Sequence, residues 1–396
     1  MSEAAELRRV QDATIDGKTV LVRVDYNVPI QDGEIADDSR ISASLATLRF
    51  LLDGGAKVVV VTHLGRPDGT VVPELRLDPI AQRLADLIDL PVRKADETVG
   101  EGVAAAIEQG RPGDLFLLEN VRFRAEEEAN DPGFSRALAD LAELYVNDAF
   151  ATVHRAHAST MGVTEFLPSY AGLLMQQEVD ALSALLDAPD RPYVAIVGGK
   201  KAQSKLGALA DLVSRVDTIL VGGGVAFTFL AADGAEVGAS IVDEDVFGEI
   251  ARIRSEAEKA GVEILLPSDV VLAQRLDAET ETEIGDARAI PEGWAGFDIG
   301  PETVRRFGEA IAAAKTVVWT GPMGAFEFGP FSHGTCGVAE ALAASDAYSV
   351  IGGGETADAV ARAGFGDGVS YISTGGGACL ALLRGKTLPA LEALRG

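Results

Sequence analysis

Short apolar runs alternate with longer amphipathic ones along the whole chain, and no other feature of the sequence restricts the fold as much. Runs expected as strands are residues 19–25, 57–63, 114–118 and 144–147 in the first half. In the second half they are 193–198, 218–222, 262–266, 316–320, 348–352 and 370–373. Helical patterns lie between several of them, such as Ile41, Leu45, Leu48 and Leu52, with Asp38 or Ser39 as the cap. Strand–helix alternation of this kind predicts a mostly parallel sheet with helices on both faces. With 396 residues the chain exceeds what one core usually holds, roughly 250–300 residues. The expected fold class is α/β: two doubly wound, mostly parallel-sheet domains joined by a helix and hinge. Residues 173–186 read as the joining helix, ending before Pro189 and Pro192. The domains are then expected at 1–170 and 190–385, with the bridging helix and hinge at 171–189. The segment 386–396 is amphipathic over 388–394 and is expected to pack on the first domain.

Composition narrows the function classes. Hydrophobic residues make up 47% and charged residues 24%, as in a globular protein with large cores. No apolar run approaches the ~18–20 residues of a membrane span, and residues 1–9 are polar and acidic, unlike a signal peptide. The two cysteines, Cys336 and Cys379, have no disulfide or metal-ligand spacing, so a cytoplasmic location is expected. A net charge of −27 sets up a field that repels nucleic acid and anionic membranes, and neither is expected as a partner. The same acidity is what a protein kept soluble in high salt carries.

Against that background the basic residues stand out. Lys200, Lys201 and Lys205 fall in one short stretch between the apolar run 193–197 and the helical pattern Leu206, Leu209, Leu212, Val213. A helix N-terminus disfavours each cation by roughly 0.3–1 kcal/mol. Lysines four apart on a helix repel by a further 0.2–0.5 kcal/mol or so, roughly. An arrangement unfavourable on its own points to a bound anion, against the plainer alternative of a solvated basic turn.

Ligands of open parallel sheets lie outside the carboxyl ends of the strands. In the first half those ends read Arg23-Val24-Asp25-Tyr26-Asn27, His63-Leu64-Gly65-Arg66-Pro67, Glu119-Asn120-Val121-Arg122 and Asn147-Asp148-Ala149-Phe150. His154-Arg155-Ala156-His157 follow, so three of the four histidines sit on these turns. Arginine forks match phosphate and carboxylate bidentately, and Arg66, Arg122, Arg155 and Arg40 together are expected to hold a small polyanion. Structural ion pairing is the alternative for any one of them. His154 and His157 lack a third ligand at metal-binding spacing. In the second half the strand ends are glycine-rich: 198–199, 222–224, 352–354 and 375–377. Such runs let backbone N–H groups approach a phosphate, although each alone also serves a tight turn. Neither a P-loop nor a dinucleotide fingerprint is present. Glu355 is a candidate Mg²⁺ ligand beside phosphates or an ordinary acid in a helix first turn. Glu327 is a candidate ribose acceptor or simply exposed.

Taken together, RVDYNVP (23–29), HLGRP (63–67), LLENVRF (117–123), NDAFATVHRAHAST (147–160), DIGPET (298–303), GPMGAFE (321–327) and STGGGA (373–378) resemble the phosphoglycerate kinase family in order and spacing. The resemblance implies phosphoryl transfer between ADP/ATP and the carboxyl of 3-phosphoglycerate through 1,3-bisphosphoglycerate, in glycolysis and gluconeogenesis. It also implies Mg²⁺ accompanying the nucleotide, two hinged domains closing on their substrates, and, as expected here, a monomer. Carried over residue by residue, it places the phosphoglycerate site at Asp25, Asn27, Arg40, His63, Arg66, Arg122 and Arg155, with Tyr26, Leu64 and Gly65 beside them. It gives the first domain that ligand and the second the nucleotide, at Lys201, Lys205, Gly223, Gly296, Glu327, Gly352, Gly353, Gly354, Glu355 and Thr356. A carboxylate nucleophile is already ionised at neutral pH, so the transfer needs no general base. It needs cover for charge on the moving group, expected from Arg40, Lys201, Lys205 and the backbone N–H groups of Gly375 and Gly376. The chain departs from the family pattern at Glu355 (usually Asp), Thr356 (Ser), Thr320 (Asn) and Lys200 (a small residue). Two rival readings remain: a dehydrogenase, disfavoured by the missing fingerprint, and a non-catalytic nucleotide-binding module, favoured only by the departures.

Overall fold

The computed structural model describes residues 7–31 and 33–395, so most of the polar, acidic stretch 1–9 lies outside the described residues. The chain divides into two compact units, Met1–Asp180 with Thr387–Gly396, and Ala181–Lys386.

In the first unit the elements run β1 (Thr19–Arg23), α1 (Ser39–Asp53), β2 (Lys57–Val61), α2 (Asp78–Ile88), β3 (Val92–Lys94), α3 (Glu101–Glu108), β4 (Leu115–Leu117), α4 (Pro132–Ala139), β5 (Leu144–Asn147) and β6 (Ser169–Ala171). The strands pair in parallel in the order β3-β4-β2-β1-β5-β6. Central strands read as near-continuous Val and Leu because helices cover both faces. Val20, Val22, Val58 and Val60 meet Leu48, Leu51, Ile80 and Leu84 of α1 and α2 in one core. The end of the chain closes this unit. Leu388, Ala390, Leu391 and Leu394 are buried, Arg8 N–H donates to Leu394 O at 3.1 Å, and Ala390 N–H donates to Val153 O at 3.2 Å.

Helix α5 (Leu173–Leu186) runs across the division, with Asp180 in one unit and Ala181 in the other. The second unit continues β7 (Tyr193–Val197), α6 (Leu206–Leu212), β8 (Thr218–Val221), α7 (Gly223–Ala232), α8 (Phe247–Ala260), β9 (Glu263–Leu265), β10 (Asp269–Ala273), β11 (Glu283–Asp286), β12 (Ala295–Ile299), α9 (Pro301–Ala313), β13 (Thr316–Thr320), α10 (His333–Ala343), β14 (Tyr348–Gly352), α11 (Gly354–Arg362), β15 (Tyr371–Ser373) and α12 (Gly376–Leu383). Its main sheet is parallel, in the order β9-β8-β7-β13-β14-β15. The order reverses direction between β7 and β13, the place where open sheets of this class open a crevice. Both strands are buried along their whole length. Ile196, Val317, Trp319 and Ile351 pack on Phe307, Ile311, Val338 and Leu342.

Three features differ from the sequence-based expectation. A separate antiparallel sheet, β11-β10-β12, was not expected, since β11 is mostly exposed and carries no apolar run. Edge strands β3 and β6 were missed for the same reason: each is three residues long and partly exposed. The lysine segment does not begin a helix. Ala202 O accepts the N–H groups of Lys205 (2.8 Å) and Leu206 (3.1 Å), making a turn, and α6 starts only at Leu206. Lys205 is its N-cap and Lys201 lies before the turn, so the two are not stacked on one helix face. At α1 the cap residue is one of the two expected, though its side chain does not cap. Asp38 occupies the N-cap but bonds Arg83 Nε (2.8 Å), while Asp37 accepts the Ser39 N–H at 2.9 Å. Helix α12 stops as its sequence predicts: Gly385, at φ +67°, donates to Leu382 O (2.8 Å) and Lys386 to Ala381 O (3.1 Å).

Candidate active site

In the first unit the carboxyl ends of β1, β2, β4 and β5 bring basic residues together around His63. Burial and the charges of Arg23, Arg122, Arg155 and Arg40 push the His63 pKa well below its usual value. His157 is pushed down to about 4 by burial and by Arg122, Arg23, Arg155 and His154. At neutral pH both imidazoles are therefore uncharged, and the positive potential comes from the arginines. Asp25 answers part of it, pairing with Arg40 and lying 3.6 Å from His63 Nδ1. Arg122 is held by Glu128 (3.1 Å) and donates to Gly65 O at 2.7 Å. Asn27 accepts the Gly65 N–H at 2.9 Å, which ties the β1 and β2 ends into one rim. The Arg155 side chain donates to the His154 ring (3.3 Å), and neither it nor exposed Arg66 has an ion-pair partner among the described residues. These two are the cations most open to an incoming anion.

Two expected residues are placed elsewhere. Tyr26 is fully buried in the core, its hydroxyl bonded to Ser44 (2.7 Å) and its N–H to Thr62 Oγ1 (2.9 Å). Leu64 also packs into that core, and both its backbone groups bond Asn120. An open depression of about 580 Å³ touches Asn27, Leu64 and Gly65, but its other walls include Ile30, Pro73, Leu75 and Arg76, and Arg40, Arg66, Arg122 and Arg155 lie outside it. Arg23, the last residue of β1, was not singled out from the sequence. It is 1% exposed, donates to Ser159 Oγ at 2.8 Å and contacts His63 Nδ1 at 3.2 Å. Its signal was a charge closing an otherwise apolar strand.

In the second unit a cavity of about 420 Å³ opens beside the β7–β13 crossover. Gly223, Gly296, Glu327 and Glu355 line it. At Gly223 (φ +58°) a Cβ would sit 2.9 Å from Gly199 N and 2.8 Å from Gly199 O, so only glycine lets the two turns touch. One wall is apolar: Phe227, Phe297 and Phe328, with Ile241 and Leu276 left 42% and 44% exposed. A flat apolar ligand would cover those two. No sequence signal separates this wall from ordinary core. Lys200, one of the departures from the family pattern, is in the wall, whereas Lys201 is exposed and outside it.

Lys205, Gly352, Gly353, Gly354 and Thr356 do not line the cavity but form a second cluster around the crossover. Lys205 Nζ donates to Thr320 Oγ1 at 3.0 Å. Burial lowers the Lys205 pKa, and the charge of Glu355 opposes that shift. Thr356 Oγ1 accepts the Gly321 N–H at 2.7 Å. Gly376 packs so tightly on Gly353 that a Cβ would lie 2.7 Å from the Gly353 Cα, which joins the β14 and β15 turns. Gly375 N–H is bonded to Ser373 Oγ at 3.2 Å.

Similarity to known proteins runs the length of the chain. The family model for phosphoglycerate kinase matches residues 10–386. The chain belongs to the phosphoglycerate kinase family. Phosphoglycerate kinase of Moorella thermoacetica is 48% identical over 385 residues, covering 97% of this chain and 98% of that protein. Its counterpart from Microcystis aeruginosa is 50% identical over 389 residues, 97% of each. The solved phosphoglycerate kinases of Coxiella burnetii (37% identical) and Pyrococcus horikoshii (33%) superpose with TM-scores of 0.88 and coverage of 98% of both chains. Within this phosphoglycerate kinase, the departures from the family pattern are not scattered. Thr320 and Glu355 both face Lys205, and Thr356 bonds the residue after Thr320.

Proposed function

We propose that the chain moves a phosphoryl group between 1,3-bisphosphoglycerate/3-phosphoglycerate and ADP/ATP. The carrying observation is that each unit holds a half-site of different chemistry at its strand ends. One is an arginine cluster around two histidines that burial, and then the arginine charges, keep uncharged; the other is a glycine-walled cavity with one apolar face and a lysine beside it. The first suits the carboxylate and phosphate of phosphoglycerate, held by Asn27, Arg40, His63, Arg66, Arg122 and Arg155. The second suits a nucleotide, its base against Phe227, Ile241 and Leu276 and its ribose near Glu327.

Among the described residues no group of three or more His, Cys, Asp or Glu is placed to hold a metal unaided. That fits Mg²⁺ delivered with the nucleotide, which needs one or two carboxylates and otherwise takes phosphate oxygens and water. Glu355, in the first turn of α11 and on the cavity wall, is the residue for it. Bound there, Mg²⁺ would neutralise phosphate charge.

The chain's own groups do the rest. No base is required, since the acceptor carboxylate is ionised at neutral pH. Arg40, Lys201, Lys205 and the N–H groups at Gly375 and Gly376 carry the charge on the moving group, with closure at α5 excluding water. Among the described residues no helix is long and apolar enough to cross a membrane, and a cytoplasmic monomer completes the proposal.

The deciding measurement is ATP-dependent turnover of 3-phosphoglycerate in a coupled assay, which neither a dehydrogenase nor a non-catalytic module would give. Lys205→Ala should lower kcat by ~10²–10³ with little change in KM for 3-phosphoglycerate. An unchanged kcat would remove Lys205 from the mechanism.

A further inference from the structure

Lys205 is a long, flexible cation at a point where position matters, and no carboxylate lies within ion-pair distance of its ammonium group among the described residues. A lysine side chain has ~2 kcal/mol of rotamer entropy to lose, so something must hold it. The Thr320 hydroxyl accepts a hydrogen bond from its ammonium at 3.0 Å. Thr320 is itself fixed. It ends β13 at 3% exposure, its carbonyl accepts the Gly198 N–H at 2.9 Å, and the next residue's N–H is bound by buried Thr356 at 2.7 Å. The hydroxyl thus stands on the rigid side of the β7–β13 crossover and the lysine on the turn side.

From this geometry we infer that Thr320 is a positioning residue for phosphoryl transfer. It takes one N–H of the Lys205 ammonium and leaves two for phosphate oxygens, anchoring a side chain that the turn 202–205 leaves flexible. The inference rests on the reading of Lys205 proposed above.

The test is a kinetic cycle on the intact enzyme with Thr320→Val, Thr320→Ser, Lys205→Ala and the Thr320→Val/Lys205→Ala double variant. Valine matches threonine in shape but lacks the oxygen. Thr320→Val should lower kcat on the order of tenfold to hundredfold, the scale of a misplaced reacting group, with KM for both substrates nearly unchanged. Thr320→Ser should restore most of the loss, and Thr320→Val should cost nothing further once Lys205 is alanine. Wild-type kcat in Thr320→Val, with Lys205→Ala impaired, would overturn the positioning role alone. An equal loss in the Lys205→Ala background would also overturn it, because Thr320 would then act independently. Full activity in Lys205→Ala would overturn the underlying reading, and this one with it. Thermal denaturation of each variant establishes folding, and Thr320→Ala substitutes in the cycle if the valine variant does not fold.

Discussion

Arg23 shows how much one side chain can organise beneath a ligand site. Its Nε donates to Ser159 Oγ, which in turn donates to Glu127 Oε1 at 2.6 Å, while the Ser159 N–H donates to Oε2 at 2.9 Å. Glu127 is fully buried; burial raises its pKa, and the Arg23 charge is the largest influence pulling it back. Breaking a buried charge arrangement by removing one member leaves the other uncompensated, at a cost of about 3–5 kcal/mol. Arg23→Met should therefore lower the unfolding free energy by about that much. Adding Glu127→Gln should recover a substantial part of the loss. Denaturant unfolding of the single and double variants checks this; a loss in the single variant no larger than that of a typical surface substitution would refute it. The network was only half legible in the sequence. Arg23, Glu127 and Ser159 are far apart in the chain, and the topology alone brings them together. Arg122 was readable because arginine past a strand end in an acidic chain is conspicuous, and Arg40 because it opens α1. Tyr26 misled for a related reason: it stands between Asp25 and Asn27 past the end of β1, but its own side chain goes to the core.

At the scale of elements, the strand ends were readable and the helix starts less so. Strands β5, β13 and β14 coincide with their apolar runs, because buried parallel strands leave nothing polar to blur the pattern. The segment 200–205 was read as a helix start, whereas a turn postpones α6. Helix α5 matches its apolar pattern from Leu173 to Leu186, but its cap comes from another element. Asp148, just past β5, accepts the Met175 N–H at 3.1 Å, and Gly172 leaves room for it: a Cβ there would lie 2.1 Å from the carboxylate. Burial raises the Asp148 pKa to about 6, against the pull of the Thr47 hydroxyl and the Met175 and Leu174 N–H groups. An unfolded aspartate titrates near ~3.9. Between roughly pH 4 and 6 the folded protein therefore holds a proton that the unfolded chain has lost, and stability falls as pH rises through that window. Relative to Asp148→Asn, the wild-type Tm should drop from pH 4 to pH 6 and stay level above. A relative Tm that rises over that range would reverse the assignment.

For the whole molecule the net charge of −27 is the dominant long-range term, and it opposes compaction through self-repulsion. Screening shortens its reach from ~30 Å at 0.01 M salt to ~3 Å at 1 M. The Tm should climb by several degrees between dilute buffer and molar KCl; full stability in dilute buffer, with no gain on adding salt, would show that the acidity is not tuned to a saline setting. Another property of the whole follows from the way Leu394 and Ala390 bond back to Arg8 and Val153. Synthesis runs from the N-terminus, so all of Ala181–Lys386 is made before the residues that close the first unit exist. A nascent chain can complete the second parallel sheet on the ribosome while the first still lacks its last apolar contacts. The half-site rich in arginine is thus finished only after the second unit has been made, and a fusion placed after residue 395 would load the unit that was begun first.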